Sequence, residues 1–536
     1  MRLIQQFSLH RKVSFLALLM FLGVYDLLGA TYYSRRNNTN FNANNLWSTS
    51  RTGSTVSFPG TSHTYIIQTG HNVKLAANQT AAQITVESGG TFTVNNTYTL
   101  TSPLTINTGG TLAVNNRRLT MARNLTNAGT ISGTTGRVIM NTYNFVNSGS
   151  LTLTTGRIER TTGSLTNSGT ITMGAGRFTA TTGTFTNTNT GSLTITGSAT
   201  VTLGTGNFIN NNTSADVDFG SSNITVNGTS QSIGGFTTTG LFSNTNSSGT
   251  ITLTGGVKAG GFTSSGAGTI NLGAANTHTI SGNWNNSAGT VLGSTSILEV
   301  SGVVSGAGTF IANSGTIAFN GTGTQTIPAL DYYNLDGTGG DRILANSGTI
   351  GVAGDFTPGS GAYTITGSTV DFNGSSTQTI PQFNFNNLSA DGGDRILENN
   401  GDIGILGVFN PGSGSYTVTG STVSFNGSGS QIIPVLNYNH LDGTGGDRIL
   451  DNSGIIGIAG NFTPGTGTYT VTGSTVSFNG SGAQTIPAFT FEDLVVENAG
   501  SKTVNSSVNA RNITIETGAV INLNSSGGGE LNLYVW

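Results

Sequence analysis

The chain has 536 residues, of which 81 are glycine and only 8% are charged, and its formal net charge at pH 7 is -3. This small net charge excludes a general attraction to nucleic acid or to anionic membranes, and the low charge density excludes ordinary disorder. The absence of cysteine excludes disulfides and thiolate metal sites.

The N-terminus has the order of features that is typical of a secretory signal peptide. Basic residues between Arg2 and Lys12 precede an apolar stretch over residues 13–24, and Ala30 ends a small-residue cleavage site. The apolar stretch is shorter than the roughly 18 residues that a membrane anchor needs. We therefore predict a signal peptide over residues 1–30 and an exported mature protein that has no membrane span.

Residues 31–83 form a segment that does not repeat. It contains Trp47 and two short runs of alternating apolar residues, 65–67 and 73–75. The rest of the chain repeats, and a stack of repeats needs an atypical first unit to close its open end. The position of this segment therefore predicts an N-terminal cap.

A unit of about 20 residues recurs over residues 84–300 and is seen, for example, where Gly90-Thr91 returns as Gly110-Thr111. Phe92 and Val94 are two residues apart, so both point to the same face of a strand. Threonine and serine alternate outward, while glycine and asparagine are expected at corners because they tolerate positive φ. A unit of this length with two or three short strands is the size of one β-helix coil, and fixed-period repeats are typical of stacked units.

A longer unit of 53 residues takes over across residues 301–490. The motif Phe-Asn-Gly recurs at Phe372, Phe425 and Phe478. A unit of this length is too long for one coil and suits two or three. We predict that the three phenylalanines stack as one buried column. Residues 491–536 would form the final coils, and the sequence leaves open whether the chain is a truncated gene product.

No stretch of the chain has the period of 3.6 residues that is typical of a helix. Together the patterns predict an all-β fold, namely a parallel β-helix or β-solenoid with an N-terminal cap. Each coil would bury its apolar face only against its neighbours. At about 4.8 Å per coil, the mature chain would be a rod on the order of 100 Å long.

Several segments resemble large secreted β-solenoid proteins of Bacteroidetes with repeats rich in Gly, Thr and Asn. Residues 31–35 (Thr-Tyr-Tyr-Ser-Arg) and 44–48 (Asn-Asn-Leu-Trp-Ser) resemble the mature start of those proteins. Residues 473–480 (Gly-Ser-Thr-Val-Ser-Phe-Asn-Gly), followed by Pro487, resemble their long repeat. The resemblance implies an adhesin-like protein that is secreted or held at the cell surface in association with the outer membrane. It implies no catalytic residues, and many members carry a C-terminal sorting domain that is not recognised here.

A glycine-rich run at residues 336–343 fits the core of the calcium-binding nonapeptide, in which an aspartate supplies a hard oxygen ligand. The run returns at residues 442–449, which makes Asp341 and Asp447 weak calcium candidates. Calcium rolls need such motifs in tandem, however, and these copies are far apart in the sequence. A tight turn followed by a strand is the favoured interpretation, and it predicts no metal requirement.

Three arginines, Arg137, Arg157 and Arg177, keep the 20-residue step and would lie above one another in regular coils. Their functional interpretation is a site for an anionic ligand such as an acidic polysaccharide or lipopolysaccharide. The alternative is a solvated edge of the fold, and it is favoured because exposed charges usually have no special role.

An enzyme needs a cluster of groups with tuned acidity. In this sequence the histidines are scattered, and the aspartates Asp341, Asp394 and Asp447 recur with the repeat, whereas catalytic groups usually occur once per fold. We therefore expect neither an enzyme nor a bound cofactor.

The predicted function is that of an exported structural or adhesive rod, whose repeated polar faces bind a surface or a polysaccharide multivalently. Two alternatives stay open. One is a polysaccharide-degrading β-helix enzyme, which rests on analogy of fold alone. The other is a calcium- or ice-binding solenoid, the latter suggested by recurring Thr-x-Thr segments.

Overall fold

The computed structural model describes residues 29–533, so residues 1–28 of the predicted signal peptide lie outside the described residues. The described part is all β, and its helical elements are two short 3-10 turns, Ser214–Asp216 and Ser525–Gly527. Among these residues, no helix is long and apolar enough to cross a membrane.

The chain divides into two compact units, Met1–Asn271 and Leu272–Trp536. In each unit the strands pair in parallel with strands of the preceding and following turns, with one antiparallel exception near the start of the first unit. Each unit is therefore a parallel β-solenoid, which confirms the predicted fold class.

In the first unit, each turn contributes one strand to each of three parallel sheets. Alternation along the strand sends every second side chain inward, so that Phe92 and Val94 are buried while Thr93 between them lies at the surface. Leu112 of the next turn lies in register with Phe92 and is also buried. The inward face predicted for the 20-residue coil is confirmed, and the core is a stack of apolar side chains.

The strands of the first unit are grouped by sheet. The first sheet contains Thr31–Ser34, Trp47–Ser48, Thr64–Ile67, Gln83–Val86, Leu104–Ile106, Leu125–Asn127, Phe145–Asn147, Leu165–Asn167, Phe185–Asn187, Phe208–Asn210, Ser230–Ile233, Thr250–Leu253 and Thr269–Asn271. The second sheet contains Thr39–Asn40, Asn72–Leu75, Thr91–Val94, Thr111–Asn115, Thr130–Gly133, Ser150–Leu153, Thr170–Met173, Ser192–Ile195, Val217–Asp218, Phe236–Thr237 and Val257–Ala259. The third sheet contains Gln79–Thr80, Tyr98–Thr101, Arg118–Met121, Arg137–Met140, Arg157–Arg160, Arg177–Ala180, Thr200–Leu203, Asn223–Val226, Leu241–Asn244 and Gly261–Ser264.

The segment predicted as a cap contributes to the first turns of this solenoid. Trp47–Ser48 pairs antiparallel with Thr31–Ser34 at the outer edge of the first sheet. Trp47 is fully buried, and its ring centroid lies 5.0 Å from that of Phe41 and 4.5 Å from that of Tyr65. An antiparallel strand interrupts a parallel stack, so this arrangement is compatible with a cap, and the capping role stays a prediction.

A column of asparagines, all buried except the half-buried Asn210, runs through the first unit and is called the asparagine ladder. Nδ2 of Asn147 donates to Oδ1 of Asn167 at 2.8 Å, and Nδ2 of Asn167 donates to Oδ1 of Asn187 at 2.9 Å. The expectation that asparagine marks corners with positive φ holds for Asn115 but is wrong for the ladder. Each of these amides instead bonds to the next from turn to turn, which offsets the cost of burial, and only Oδ1 of Asn127, at the start of the column, has no partner among the described residues. The ladder consists of Asn127, Asn147, Asn167, Asn187 and Asn210.

The recurring glycines of the 20-residue unit are required by close packing of turns as well as by backbone conformation. A Cβ atom added at Gly149 would lie 2.1 Å from the carbonyl oxygen of Gly129 on the preceding turn. Gly109, in contrast, has a φ of +79° and occupies a corner that favours glycine. The predicted reason, positive φ, therefore applies to some of these glycines and not to others.

In the second unit, three strands again make one turn as far as Gln484–Ile486, and the later turns have two strands each. One 53-residue repeat contains eight strands, as in the stretch from Thr316–Phe319 to Tyr363–Thr364. Eight strands at three per turn are 2⅔ turns, and 53 residues over 2⅔ turns are about 20 residues per turn. The two periods of the sequence therefore share one coil length.

The fractional number of turns moves equivalent residues to another face of the solenoid with every repeat. Phe372, Phe425 and Phe478 are all fully buried, but they lie in three different sheets. The prediction that they stack as one column is therefore wrong. Their in-register neighbours on the preceding turn are Val352, Ile405 and Ile458, respectively.

The strands of the second unit follow one another with short connections. The first group, up to the end of the first long repeat, contains Thr277–Ile280, Trp284–Asn286, Thr290–Leu292, Ile297–Val300, Val304–Ser305, Thr309–Ile311, Thr316–Phe319, Gln325–Ile327, Asp331–Tyr332, Asn334–Asp336, Arg342–Leu344, Thr349–Val352, Phe356–Thr357 and Tyr363–Thr364. The second group contains Thr369–Phe372, Gln378–Ile380, Phe383–Phe385, Asn387–Ser389, Arg395–Leu397, Asp402–Ile405, Phe409–Asn410, Tyr416–Thr417, Thr422–Phe425, Gln431–Ile433, Asn437–Tyr438, His440–Asp442, Arg448–Leu450, Ile455–Ile458, Phe462–Thr463 and Tyr469–Thr470. The last group contains Thr475–Phe478, Gln484–Ile486, Thr490–Val496, Ser501–Val504, Ser507–Ile515, Val520–Leu523 and Glu530–Leu533.

One arginine of each long repeat is buried among backbone carbonyl groups. Nη2 of Arg342 donates to the carbonyl oxygen of Phe319 and, at 2.9 Å, to that of Thr338, while Nη1 donates to that of Asp341 at 2.9 Å. Burial lowers the pKa of each of these arginines. The guanidinium group thus joins carbonyl groups that the tight turns direct inward. The three arginines are Arg342, Arg395 and Arg448, none more than 1% exposed.

Candidate functional site

Four arginines occupy one register position on successive strands of the third sheet, and we call them the arginine ladder. Arg137 pairs with Arg157, and Arg157 pairs with Arg177, which places the three residues predicted from the sequence directly above one another. The structure adds Arg118, which pairs with Arg137. Sequence analysis missed Arg118 because it follows an arginine, whereas the recognised pattern was glycine followed by arginine.

The arginine ladder is a strip of positive charge with little compensation. Arg118, Arg137 and Arg177 are exposed. Within the described residues, the only salt bridge of the ladder joins Arg157 to Glu159 at 3.5 Å. Neighbouring strands lie about 4.8 Å apart, and like charges directly opposite each other on such strands are destabilising. The column of arginines therefore makes no evident contribution to the stability of the fold.

The strands that carry the arginine ladder are anchored by side chains that are buried in the core. Their next residues, Leu119, Val138, Ile158 and Phe178, are buried in the core and lie in register with one another. The guanidinium groups thus project from a fixed backbone at regular intervals. This geometry suits a linear ligand whose negative charges repeat at a comparable distance, because the positions of the cations are set before the ligand arrives.

A further arginine on the same strand as Arg157 has a structural role. Arg160 points inward, is 3% exposed, and donates from Nη1 to the carbonyl oxygen of Thr184 at 2.8 Å and from Nη2 to that of Gly183 at 3.2 Å. Burial lowers its pKa to about 10. Because an arginine with this pKa stays charged at neutral pH, Arg160 binds carbonyl groups inside the coil and is not part of the exposed strip.

The two calcium candidates occupy turns of the second unit. Oδ1 of Asp341 accepts a hydrogen bond from the backbone N–H of Ala362 at 3.0 Å, and Oδ1 of Asp447 accepts one from that of Thr468 at 2.9 Å. Each carboxylate thus connects its turn to the next turn. Among residues 29–533, no group of three or more His, Asp or Glu side chains is placed to hold a metal ion. The role of these aspartates toward calcium stays a prediction.

Comparison of the chain with protein-family models, with curated proteins and with solved structures found no match. The assignment of function therefore rests on the residues and geometry described above.

Proposed function

We propose that this protein is an exported structural or adhesive protein whose repeated polar rows bind polysaccharide multivalently. The observation that carries the proposal is the arginine ladder, in which four cations share one register position on consecutive turns. The N-terminal sequence pattern supports export. The solenoid architecture supports multivalency, because each turn adds an equivalent outward position and weak contacts along one ligand multiply.

The ligand that best fits the ladder is a linear acidic polysaccharide. A polymer of uronic acids carries one carboxylate on each sugar, so its negative charges recur along the polymer as the cations of the ladder recur along the stack, about 4.8 Å from turn to turn. Each guanidinium group can donate two parallel hydrogen bonds to one carboxylate. A run of carboxylates would also relieve the mutual repulsion of Arg118, Arg137, Arg157 and Arg177.

The experiment measures binding of polygalacturonate to the mature protein at several salt concentrations. The variant Arg137→Gln with Arg157→Gln neutralises the centre of the ladder. The matched control, Arg36→Gln with Lys258→Gln, removes the same charge from two exposed positions outside the ladder. We expect the ladder variant to bind at least about tenfold more weakly with a shallower salt dependence, because two charge-assisted pairs are lost.

The control should change the affinity less than twofold. Equal losses in the two variants would mean that only the net charge matters, and they would refute a site at the ladder. An absence of measurable binding to polygalacturonate, alginate and a sulfated polysaccharide at low salt would reject the proposed ligand class.

A further inference from the structure

A groove of about 340 Å³ lies on the surface of the second unit, where one sheet ends and another begins. Tyr363–Thr364 is the last strand of one short sheet, and Phe383–Phe385, on the following turn, is the first strand of the next. The backbones on either side of this break belong to different sheets, and residues of both line the groove. We call this feature the Tyr363 groove. Its volume lies within the range of about 300–1,000 Å³ that is typical of small-molecule sites.

Two aromatic rings form one side of the Tyr363 groove. The ring centroids of Tyr363 and Phe383 are 4.8 Å apart, and the rings are nearly perpendicular, at 86°. The hydroxyl of Tyr363 donates to the carbonyl oxygen of Pro358 at 2.6 Å, which fixes the ring in place. Both rings are half-buried, so part of their surface stays accessible. The negative face of an aromatic ring attracts C–H groups that carry partial positive charge, and one side of a pyranose ring presents such groups.

Polar side chains also line the groove. Gln382 and Asp402 lie side by side on adjacent turns, because Phe383 pairs with Ile403, and both are exposed. Oδ1 of Asp402 accepts a hydrogen bond from the hydroxyl of Ser424 at 2.6 Å, whereas Oδ2 has no hydrogen-bond partner within the described residues. An amide and a carboxylate in adjacent positions offer the donor and the acceptors that neighbouring sugar hydroxyls need.

The other copies of the repeat show that the fold does not require this combination. The middle copy keeps the tyrosine, as Tyr416, but has Val435, Leu436 and Ile455 at the positions of Gln382, Phe383 and Asp402. The last copy keeps the aromatic pair, with the ring centroids of Tyr469 and Phe489 4.8 Å apart, but it has Ala488 at the position of Gln382. The polar rim is therefore specific to one copy.

We propose that the Tyr363 groove is a subsite for a pyranose ring of a neutral polysaccharide. The sugar packs one face on one of the two perpendicular rings, Tyr363 or Phe383, and its hydroxyls bind Gln382 and Asp402. The carboxylate of Asp402 disfavours acidic sugars, so this subsite and the arginine ladder select different polymers. The inference rests on the proposed function in that it assumes a polysaccharide-binding protein, but it places a second site in a different unit of the chain.

The test measures binding of cellohexaose and maltohexaose, two neutral oligosaccharides of different linkage, to the full mature protein by calorimetry. The variant Gln382→Val with Asp402→Ile gives the groove the rim of the middle copy, which the fold already tolerates there. We expect at least a tenfold loss of affinity for the hexasaccharide that binds. The matched control, Thr326→Val with Thr379→Val, adds apolar surface at outward strand positions that do not line the groove, and it should leave binding unchanged.

Polygalacturonate binding is measured on the same preparations, so that the two sites are judged separately. If the groove variant binds the hexasaccharide as well as the unmodified protein does, the assignment of the groove is wrong, whatever the arginine ladder does. A failure of both hexasaccharides to bind at millimolar concentration rejects the subsite, while retained polygalacturonate binding leaves the proposed function standing. A second variant, Asp402→Asn, preserves the shape of the rim. Binding of glucuronate oligosaccharides should be stronger in this variant, and a decrease would contradict the stated role of Asp402.

Discussion

The buried arginine of the long repeat gives the sharpest test of how this solenoid is held together. Arg395 is 1% exposed, and its guanidinium group donates to five backbone carbonyl oxygens. The perturbation is Arg395→Leu, compared with Arg395→Lys. The comparison is built into the chain, because Lys502 takes the arginine position in the turns that follow the last complete repeat and donates from Nζ to the carbonyl oxygens of Gly480 at 2.7 Å and Gly500 at 3.3 Å. The five acceptors of Arg395 are the carbonyl oxygens of Phe372, Gly374, Asp391, Gly393 and Asp394.

The loss of stability expected for Arg395→Leu depends on how many of the five carbonyl groups keep another hydrogen-bond donor. Gly374 and Asp394 still accept backbone N–H groups, from Gly393 and Gln378 respectively. The other three carbonyl groups lose a charged donor, and removing one partner of a buried charged interaction costs about 3–5 kcal/mol. Burial of the leucine side chain offsets about 2 kcal/mol of this cost. We therefore expect Arg395→Leu to destabilise the local turns by about 1–3 kcal/mol and Arg395→Lys by less than that.

The assay is hydrogen exchange followed by mass spectrometry, because coils contact only their neighbours and a local loss of stability need not unfold the whole chain. At about 1.4 kcal/mol per tenfold change, amides in residues 372–397 should lose roughly 5- to 150-fold of their protection in the leucine variant. The lysine variant should lose less than tenfold, and amides of the first unit should not change. Protection that is unaltered by leucine, or lowered as much by lysine, would refute the view that the cation is needed to satisfy these carbonyl groups.

Four further outcomes are expected. Asn167→Ala should destabilise the first unit by about 1–3 kcal/mol, because it leaves the buried Oδ1 of Asn187 without a donor, while Nδ2 of Asn147 keeps the carbonyl groups of Gly149 and Thr170. Asn167→Gln should not rescue the loss, and hydrogen exchange checks both variants. Phe425→Ala should cost about 3–5 kcal/mol at its fully buried site, measured in the same way, and a cost below about 0.5 kcal/mol would contradict the inward assignment. Burial lowers the pKa of His278 to about 4, so its contribution to stability is complete above about pH 6.5 and is lost as the pH falls toward 4. The thermal midpoint should therefore fall between pH 7 and pH 4.5 by more in the native protein than in His278→Gln. Melting curves with calcium and with a chelator should coincide, and a large difference would assign Asp341 and Asp447 as ligands.

Local alternation was sufficient to predict which side chains enter the core. Phe92 and Val94 are two residues apart, and a strand sends residues at that spacing to one side whatever lies around it. The same reasoning correctly placed Phe372 and Phe425 inside. It failed for their mutual arrangement, because stacking depends on how many residues each turn uses. Three strands per turn and eight strands per repeat rotate the second phenylalanine to another face.

Of the two candidate sites, one could be found from the sequence and the other could not. Arg137, Arg157 and Arg177 were found from their regular spacing, because the 20-residue period equals one turn and equivalent residues then share a register position. The Tyr363 groove could not be found from the sequence. Its lining residues, Tyr363 and Asp402 among them, come from turns whose relation depends on where one sheet ends and the next begins.

The sequence by itself determined the parallel solenoid, its inward face and the repetition of its polar rows, because those properties follow from periods of two and of about 20 residues. Only the tertiary structure decided which polar groups are buried. Arginine and asparagine are residue types that usually lie at the surface. Arg342 and Asn167 nevertheless lie inside, because hydrogen-bonding partners from several turns converge on them. Burial of a charge or an amide is favourable only where such partners meet, and their meeting depends on the stacking of distant segments rather than on local sequence.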